Sequence, residues 1–291
     1  MRVRRVLLIG DPVGLSVSPV MQRAAFAAAG LDGWTYDAVR VPLVELDRAW
    51  ARLCRGAEED DGASPVAGLN VTIPLKEALI PLLDAVRPEA LAAGSVNTVT
   101  FDGSGRAIGD STDGAGFMAA LARVDGRPRR RAVILGSGGA ARAVAASLRT
   151  AGSEVLIAGR NADAGERIAA DLDVAFEPWD PDDPSTLRRG LDGADLLANA
   201  TPIGSLGSDP DASPLPANVA LDPATTVFDL VYRPRRTALL QRAARAGCLV
   251  VEGIEMLVEQ GARSFERWTG LAAPVDAMRR TAYRALDGQG D

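Results

Sequence analysis

Lys76 is the one lysine in a chain of 291 residues whose other 31 cationic side chains are all arginine. A guanidinium keeps its proton, whereas an ammonium can release and regain one. A position that keeps lysine where arginine serves everywhere else points to proton chemistry, or to a compact charge beside a reacting oxygen. Carbonyl reduction needs such a group, because hydride goes to carbon and a proton goes to the developing alkoxide. The chain has no histidine, so lysine is the residue left for that proton. The same absence excludes Ser-His and Cys-His nucleophile systems. Cys54 and Cys248 show no metal-ligand spacing, which excludes a zinc site and leaves no metal to expect.

Other polar residues recur where apolar runs end. Asn70 and Thr72 precede Lys76 in Gly68-Leu69-Asn70-Val71-Thr72-Ile73-Pro74-Leu75-Lys76, where Pro74 stops a strand and Lys76 opens a helix. Asn97 lies in Gly94-Ser95-Val96-Asn97-Thr98, and Asp113 in Gly109-Asp110-Ser111-Thr112-Asp113-Gly114. Asn97 or Asp113 alone would read as a turn residue; their recurrence with a unique lysine reads as one shared site. In Ser16-Val17-Ser18-Pro19, Ser18 is expected to cap a helix with Pro19 at its first position. Two hydroxyls beside free helix N–H groups also suit a carboxylate.

A second constellation lies at Arg131–Leu148. The apolar run Val133-Ile134-Leu135 reads as a strand buried on both faces. Gly136, Gly138 and Ala141 then fit Gly-x-Gly-x-x-Gly/Ala, the turn that lets a dinucleotide pyrophosphate approach a helix N-terminus. A second strand, Val155–Ala158, ends at Gly159-Arg160-Asn161, with no acid until Asp163. An acid there would suit the ribose hydroxyl of NAD, whereas Arg160 can fork onto the 2′-phosphate of NADP. The segments Asp195–Pro202 and Thr226–Tyr232 read as further buried strands running into turns, separated by the loop Gly207–Pro216.

The elements that must position these groups are α/β throughout. Aromatics are 4% of the chain against 47% apolar residues, so the core is expected to consist of Ala, Val and Leu, with helices packed on sheets. The length suits two domains with a cleft between them. Net charge is −6 with scattered cations, which argues against a nucleic-acid partner or an anionic membrane. The basic run Arg127-Pro128-Arg129-Arg130-Arg131 is expected to be a solvated linker. The basic start Met1–Arg5 is followed by four apolar residues only, too few for a signal sequence, and no run spans a membrane. A soluble, cytoplasmic protein is expected.

With these motifs in order from residue 10 to residue 270, the chain resembles the shikimate dehydrogenase family. The likeness also takes in Asn199-Ala200-Thr201-Pro202, Asp229-Leu230-Val231-Tyr232 and Gly253–Ala262. It implies an N-terminal mixed-sheet substrate domain over 1–115, completed by C-terminal helices over 250–291, and a Rossmann-type NAD(P) domain over 116–249. It implies Lys76 and Asp113 as the catalytic pair. Ser16 and Ser18 would hold a carboxylate, and Thr72, Asn97 and Gln260 ring hydroxyls, with Tyr232 nearby. Gly136, Ser137, Gly138, Gly139 and Ala140 would cradle the cofactor, Arg160 would hold its 2′-phosphate, and Thr201, Leu230 and Gly253 would lie along it.

The implied activity is NADP-dependent interconversion of 3-dehydroshikimate and shikimate, a step toward chorismate and the aromatic amino acids, by a monomer or homodimer. The chain departs from the family pattern in Leu15 for His, Ser111 for Asn, Ala164 for a second Arg and Ser205 for Met. A single guanidinium leaves NAD or dual cofactor use open, and the other changes leave room for a quinate/shikimate or aminoshikimate dehydrogenase. A non-catalytic, cofactor-sensing binding protein would be expected to lose the pair Lys76 and Asp113, and both are present.

Overall fold

A computed structural model describes residues 3–54, 66–180 and 183–288, which leaves Met1, Arg2 and the Cys54 side chain outside the described set. The chain divides into two compact units, one running to Thr112 and resuming at Gln260, the other covering Asp113–Glu259.

The first unit is built on a six-stranded mixed sheet in the order β2-β1-β3-β5-β6-β4. β1 (Arg4–Gly10) pairs in parallel with β2 (Trp34–Arg40) and β3 (Val66–Val71). β5 (Thr98–Phe101) runs antiparallel to β3 and to β6 (Ala107–Asp110), and the two-residue β4 (Ala85–Val86) is parallel to β6. Leu7, Ile9, Leu69, Val71 and Val99 pack on one face with Leu46 and Trp50 of α2 (Leu46–Cys54) and Leu75 of α3 (Leu75–Ala78). Helices α1 (Ser18–Ala28), α11 (Val275–Asp287) and the latter part of α10 (Gly253–Thr269) also belong to this unit. Phe26 meets Phe265 with ring centres 5.6 Å apart. Gly68 has no room for a side chain, since a Cβ there would sit 2.2 Å from the Trp268 ring.

The second unit is a six-stranded sheet, parallel throughout, in the order β12-β11-β10-β7-β8-β9. In chain order these are β7 (Arg131–Leu135), β8 (Glu154–Gly159), β9 (Ala175–Pro178), β10 (Leu196–Asn199), β11 (Thr226–Asp229) and β12 (Val250–Glu252). Counted within the unit the order is 6-5-4-1-2-3, the doubly wound Rossmann arrangement with its switch point between β7 and β10. Alternate residues of one strand serve opposite cores. Ala132 and Ile134 pack with Phe117 of α5 (Asp113–Val124) and Val144 of α6 (Gly139–Thr150). Val133 and Leu135 pack with Leu187 of α8 (Ser185–Leu191) and Leu239 of α9 (Ala238–Arg245). Burial on both faces explains why this strand reads as a continuous apolar run.

Three expectations are corrected. The return to the first unit falls at Gln260 rather than near 250, because Val250–Glu252 pairs with β11 and stays in the parallel sheet. Asp113 opens α5 and so belongs with the second unit, not with a domain extending to 115. The basic run is not a solvated linker. Arg129 is buried, with 3% of its side chain exposed, and its guanidinium lies 2.6 Å from the equally buried carboxylate of Asp125. The backbone N–H groups of Arg130 and Arg131 donate to Asp195 at 2.8 and 3.1 Å.

Candidate active site

In the first unit the predicted residues gather at the edge of the sheet where β1, β3 and β6 end and β5 begins. Lys76 is the second residue of α3, whose Leu75 is fully buried. The Lys76 carbonyl accepts the N–H of Val96 at 2.8 Å, which pins this turn beside Asn97. Asn97 is buried; its Oδ1 accepts the Thr112 N–H at 2.8 Å, and its Nδ2 donates to Thr112 Oγ1 at 3.0 Å and Gln260 Oε1 at 3.3 Å. Asp113 follows Thr112 directly in the chain. Thr72, at the end of β3, packs so closely on Gly10 that a Cβ on the glycine would lie 2.3 Å from Thr72 Cγ2.

Beneath these groups runs a polar layer that sequence reading left unassigned. Tyr36 donates to Asn70 Oδ1 at 2.7 Å, and Asn70 Nδ2 donates to Ser264 Oγ at 3.1 Å. Ser264 Oγ stands 2.7 Å from Thr98 Oγ1 and donates to the Gln260 carbonyl at 3.1 Å. Tyr36, Thr98 and Ser264 are fully buried, and burial pushes the Tyr36 phenol far above its ordinary range, so it stays a donor. The layer fixes α10, and with it Gln260, against β3 and β5. Its only sequence signal is a polar residue, Asn70, inside an otherwise apolar strand.

The serine motif differs locally from its sequence reading. Ser18 is not the N-cap. The cap position is Val17, which makes no side-chain cap hydrogen bond, and Ser18 is the first helical residue and buried. Ser16 takes the capping part instead, its Oγ accepting the Ser18 N–H at 3.2 Å. With Pro19 already in the first turn and unable to donate, the Ser18 N–H is the group that needs an acceptor.

The second unit presents the cofactor motif at its switch point. Gly136 has φ +111°, and a Cβ there would lie 3.1 Å from Thr201 Cγ2 and 3.2 Å from the Ala200 carbonyl oxygen. The turns after β7 and β10 therefore meet backbone to backbone, which only glycine permits. At Gly138 a Cβ would find nothing within 4 Å. Space is thus left in front of the N-terminus of α6, whose first turn carries no acidic residue. Free N–H groups with a positive dipole end and no side chain in the way fit a pyrophosphate.

Next to it, Ser137 Oγ donates to the Asn161 carbonyl at 3.3 Å, and Asn161 caps α7 (Ala162–Leu172) by accepting the Ala164 N–H at 3.1 Å. Arg160 is exposed at the end of β8. Arg142 and Arg149 of the same unit are engaged by Asp171 and Asp173, whereas no carboxylate pairs with Arg160 among the described residues. Leu230 and Tyr232 follow β11. Gly253, the first residue of α10, lies under that turn, where an added Cβ would be 2.5 Å from the Leu230 oxygen and 2.7 Å from the Asp229 oxygen.

Both oxygens are main-chain atoms rather than the ends of flexible side chains, so relief requires the backbone to shift. Gly253→Ala is expected to cost about 1–3 kcal/mol of stability, seen as a lower thermal midpoint. An unchanged midpoint would contradict the packing described.

Among the described residues no group of three or more His, Cys, Asp or Glu is placed to hold a metal ion, and no helix is long and apolar enough to cross a membrane. The profile described as shikimate dehydrogenase substrate binding domain matches residues 8–99. The profile described as shikimate 5′-dehydrogenase C-terminal domain matches residues 253–283. A protein of Symbiobacterium thermophilum named shikimate dehydrogenase (NADP(+)) is 44% identical, with 97% of this chain and 94% of that protein covered. The chain belongs to the shikimate dehydrogenase family.

A family member of the same name from Methanopyrus kandleri is 43% identical over 96% of this chain and 94% of its own length. The crystal structure of shikimate 5-dehydrogenase from Thermus thermophilus in complex with NADP(H) and shikimate superposes with a TM-score of 0.85. It is 38% identical and covers 98% of this chain and 100% of its own. Gly114 stands in one of the motifs read from the sequence, without a role there. A Cβ there would meet Ser147 Oγ at 2.0 Å and the Ala143 oxygen at 2.7 Å, so this glycine lets α5 lie against α6 directly behind Asp113.

Proposed function

We propose that the protein interconverts 3-dehydroshikimate and shikimate with NADP, with Lys76 and Asp113 handling the proton. The observation that carries this reading is a run of contacts with no residue between its links. The Lys76 carbonyl takes the Val96 N–H, Asn97 follows Val96 and holds Thr112, and Asp113 follows Thr112. Ser16 and Ser18 receive the substrate carboxylate, and serine at both positions favours shikimate. Thr72, Asn97, Gln260 and Tyr232 take the ring hydroxyls.

When bound, the dinucleotide accepts or supplies the hydride. Lys76 takes the hydroxyl proton as the alcohol is oxidised and returns it to the oxygen in reduction, and Asp113 is the carboxylate partner of that transfer. Gly136 to Ala140 hold the pyrophosphate, Arg160 holds the 2′-phosphate, and Thr201, Leu230 and Gly253 line the remainder. The partners are small molecules, without nucleic acid or membrane. The protein acts as a monomer or homodimer in the cytoplasm, in the supply of aromatic amino acids.

Ala164, where a second arginine is common, favours a second reading in which NAD is also used. Assay of the parent with NAD against NADP distinguishes the two, and Arg160→Ala tests the arginine itself. Loss of charge-assisted hydrogen bonds to a phosphate should raise the KM for NADP about 10–100-fold while leaving that for NAD unchanged. Equal KM values for NADP before and after the substitution would remove Arg160 from the cofactor site. The activity itself is tested by adding shikimate and NADP to purified protein and following reduced-nicotinamide absorbance. Turnover with quinate and NAD instead would assign the chain to the quinate/shikimate type.

A further inference from the structure

At the carboxyl ends of β10 and β11 lies a buried chain of polar side chains to which no role has been given above. Asp229 is 0% exposed, as is Asn199, and Thr237 is 1% exposed. Asp229 Oδ1 accepts from Asn199 Nδ2 at 2.8 Å and from the Val231 N–H at 3.0 Å, and its Oδ2 accepts from Thr237 Oγ1 at 2.6 Å. On the far side Asn199 Oδ1 accepts both the N–H of Thr201 at 3.0 Å and its hydroxyl at 2.7 Å. Thr201 Oγ1 in turn accepts the Ile203 N–H at 3.2 Å, and Thr237 Oγ1 caps α9 by accepting the Leu240 N–H at 3.2 Å.

A carboxylate without water is a costly element to bury. Burial pushes Asp229 up to about 6, although three hydrogen bonds from Thr237, Val231 and Asn199 oppose the rise. An aliphatic residue would fill the strand end at no such cost. The group is explained by what it fixes. Thr201 is reached through Asn199, Leu230 is the next residue in the chain, and Gly253 packs against the Asp229 carbonyl. Three positions assigned to the cofactor thus converge on Asp229, Thr201 through the carboxylate and Asn199, Leu230 through the chain and Gly253 through the main-chain carbonyl.

We propose that Asp229, acting through Asn199, is a positioning residue for dinucleotide binding: the buried chain Thr237–Asp229–Asn199–Thr201 sets the two loops that carry Thr201 and Leu230. This rests on the reading that those loops hold the cofactor. Asp229 itself touches neither cofactor nor substrate in this account. With Asn199→Ala, Asp229 keeps its bonds to Thr237 and Val231 but loses its hold on Thr201. With Asp229→Ala, the Val231 N–H and the Thr237 hydroxyl lose their acceptor, and Asn199 Nδ2 keeps only the Ile203 carbonyl at 3.4 Å. With Asp229→Asn, the shape is kept and Oδ1 still accepts from Asn199 and Val231; the Thr237 hydroxyl loses its acceptor, on the side of the chain away from Thr201.

The test is NADPH binding, read by the change in its fluorescence on titration with full-length protein, alongside the KM for shikimate. Leaving a buried donor or acceptor unmatched should weaken NADPH binding about tenfold in Asn199→Ala and at least as much in Asp229→Ala. Asp229→Asn should stay within about threefold of the parent, and the KM for shikimate should hold in Asn199→Ala and Asp229→Asn. NADPH affinity unchanged in Asn199→Ala overturns the proposal, as does an equal loss of both ligands, which would mark a general folding role. Asn199→Ala carries the test alone where Asp229→Ala fails to fold. Failure of the parent protein to bind NADPH is a separate result, and it would remove the cofactor reading on which the proposal stands.

Discussion

Replacing Lys76 by methionine is expected to lower turnover about 10²–10⁴-fold, with little change in the KM for the acid. Methionine keeps an unbranched stem of similar length and removes only the ammonium. The turn has anchors besides that ammonium. The turn carrying Lys76 is anchored by fully buried Leu75 and Leu79, and its main chain is tied to Val96 by the Lys76 carbonyl. The loss should therefore appear chiefly in kcat. Lys76→Arg separates the two uses of the charge, because a guanidinium can polarise an oxygen but does not readily give up its proton. Recovery in the arginine variant would assign polarisation rather than proton transfer. Near-normal turnover in the methionine variant would remove Lys76 from the chemistry altogether.

Asp125→Ala is expected to destabilise the second unit by about 3–5 kcal/mol, the cost of leaving a buried charge without its partner. The Arg129 guanidinium has 3% of its side chain exposed, and without Asp125 it would face the protein interior uncompensated. Thr226, at the start of β11, donates to the same carboxylate at 2.9 Å, so the substitution also loosens the sheet where α5 hands over to β7. The Arg127 guanidinium, with Arg129 and Thr226, holds this carboxyl well below the usual carboxylate range, against the opposing effect of burial. A carboxylate whose folded value is depressed stabilises the fold above the ordinary carboxylate range, and that contribution is lost as pH falls below about 4. Urea midpoints should therefore fall with acid in the parent and fall less in Asp125→Ala. A parallel pH dependence in both would show that Asp125 contributes nothing through its charge.

Chemistry was more legible in the sequence than packing. A single lysine among arginines, two glycines after an apolar run and an arginine at a strand end are local patterns, each visible without the rest of the chain. What escaped notice depends on partners remote in sequence. Asn70 is read as one polar residue in a strand until Ser264 arrives 194 positions later to accept its amide. Arg129 is indistinguishable from its neighbours in a basic run, and only the fold shows that Asp125 takes it inside. Ser16 and Ser18 exchanged their expected local parts because Pro19 falls one position further into the helix than the capping pattern assumes. Gly114 and Gly253 look like motif residues, and the structure gives both a steric reason for their size.

The most direct test of substrate choice is competition. Equal concentrations of shikimate and quinate are offered together with NADP, and the products are quantified as the nicotinamide is reduced. The ratio of products gives the ratio of kcat/KM for the two acids without separate saturation curves. The account predicts 3-dehydroshikimate as the dominant product. Dominance of the quinate-derived ketone, or no reduction of NADP with either acid, would contradict it.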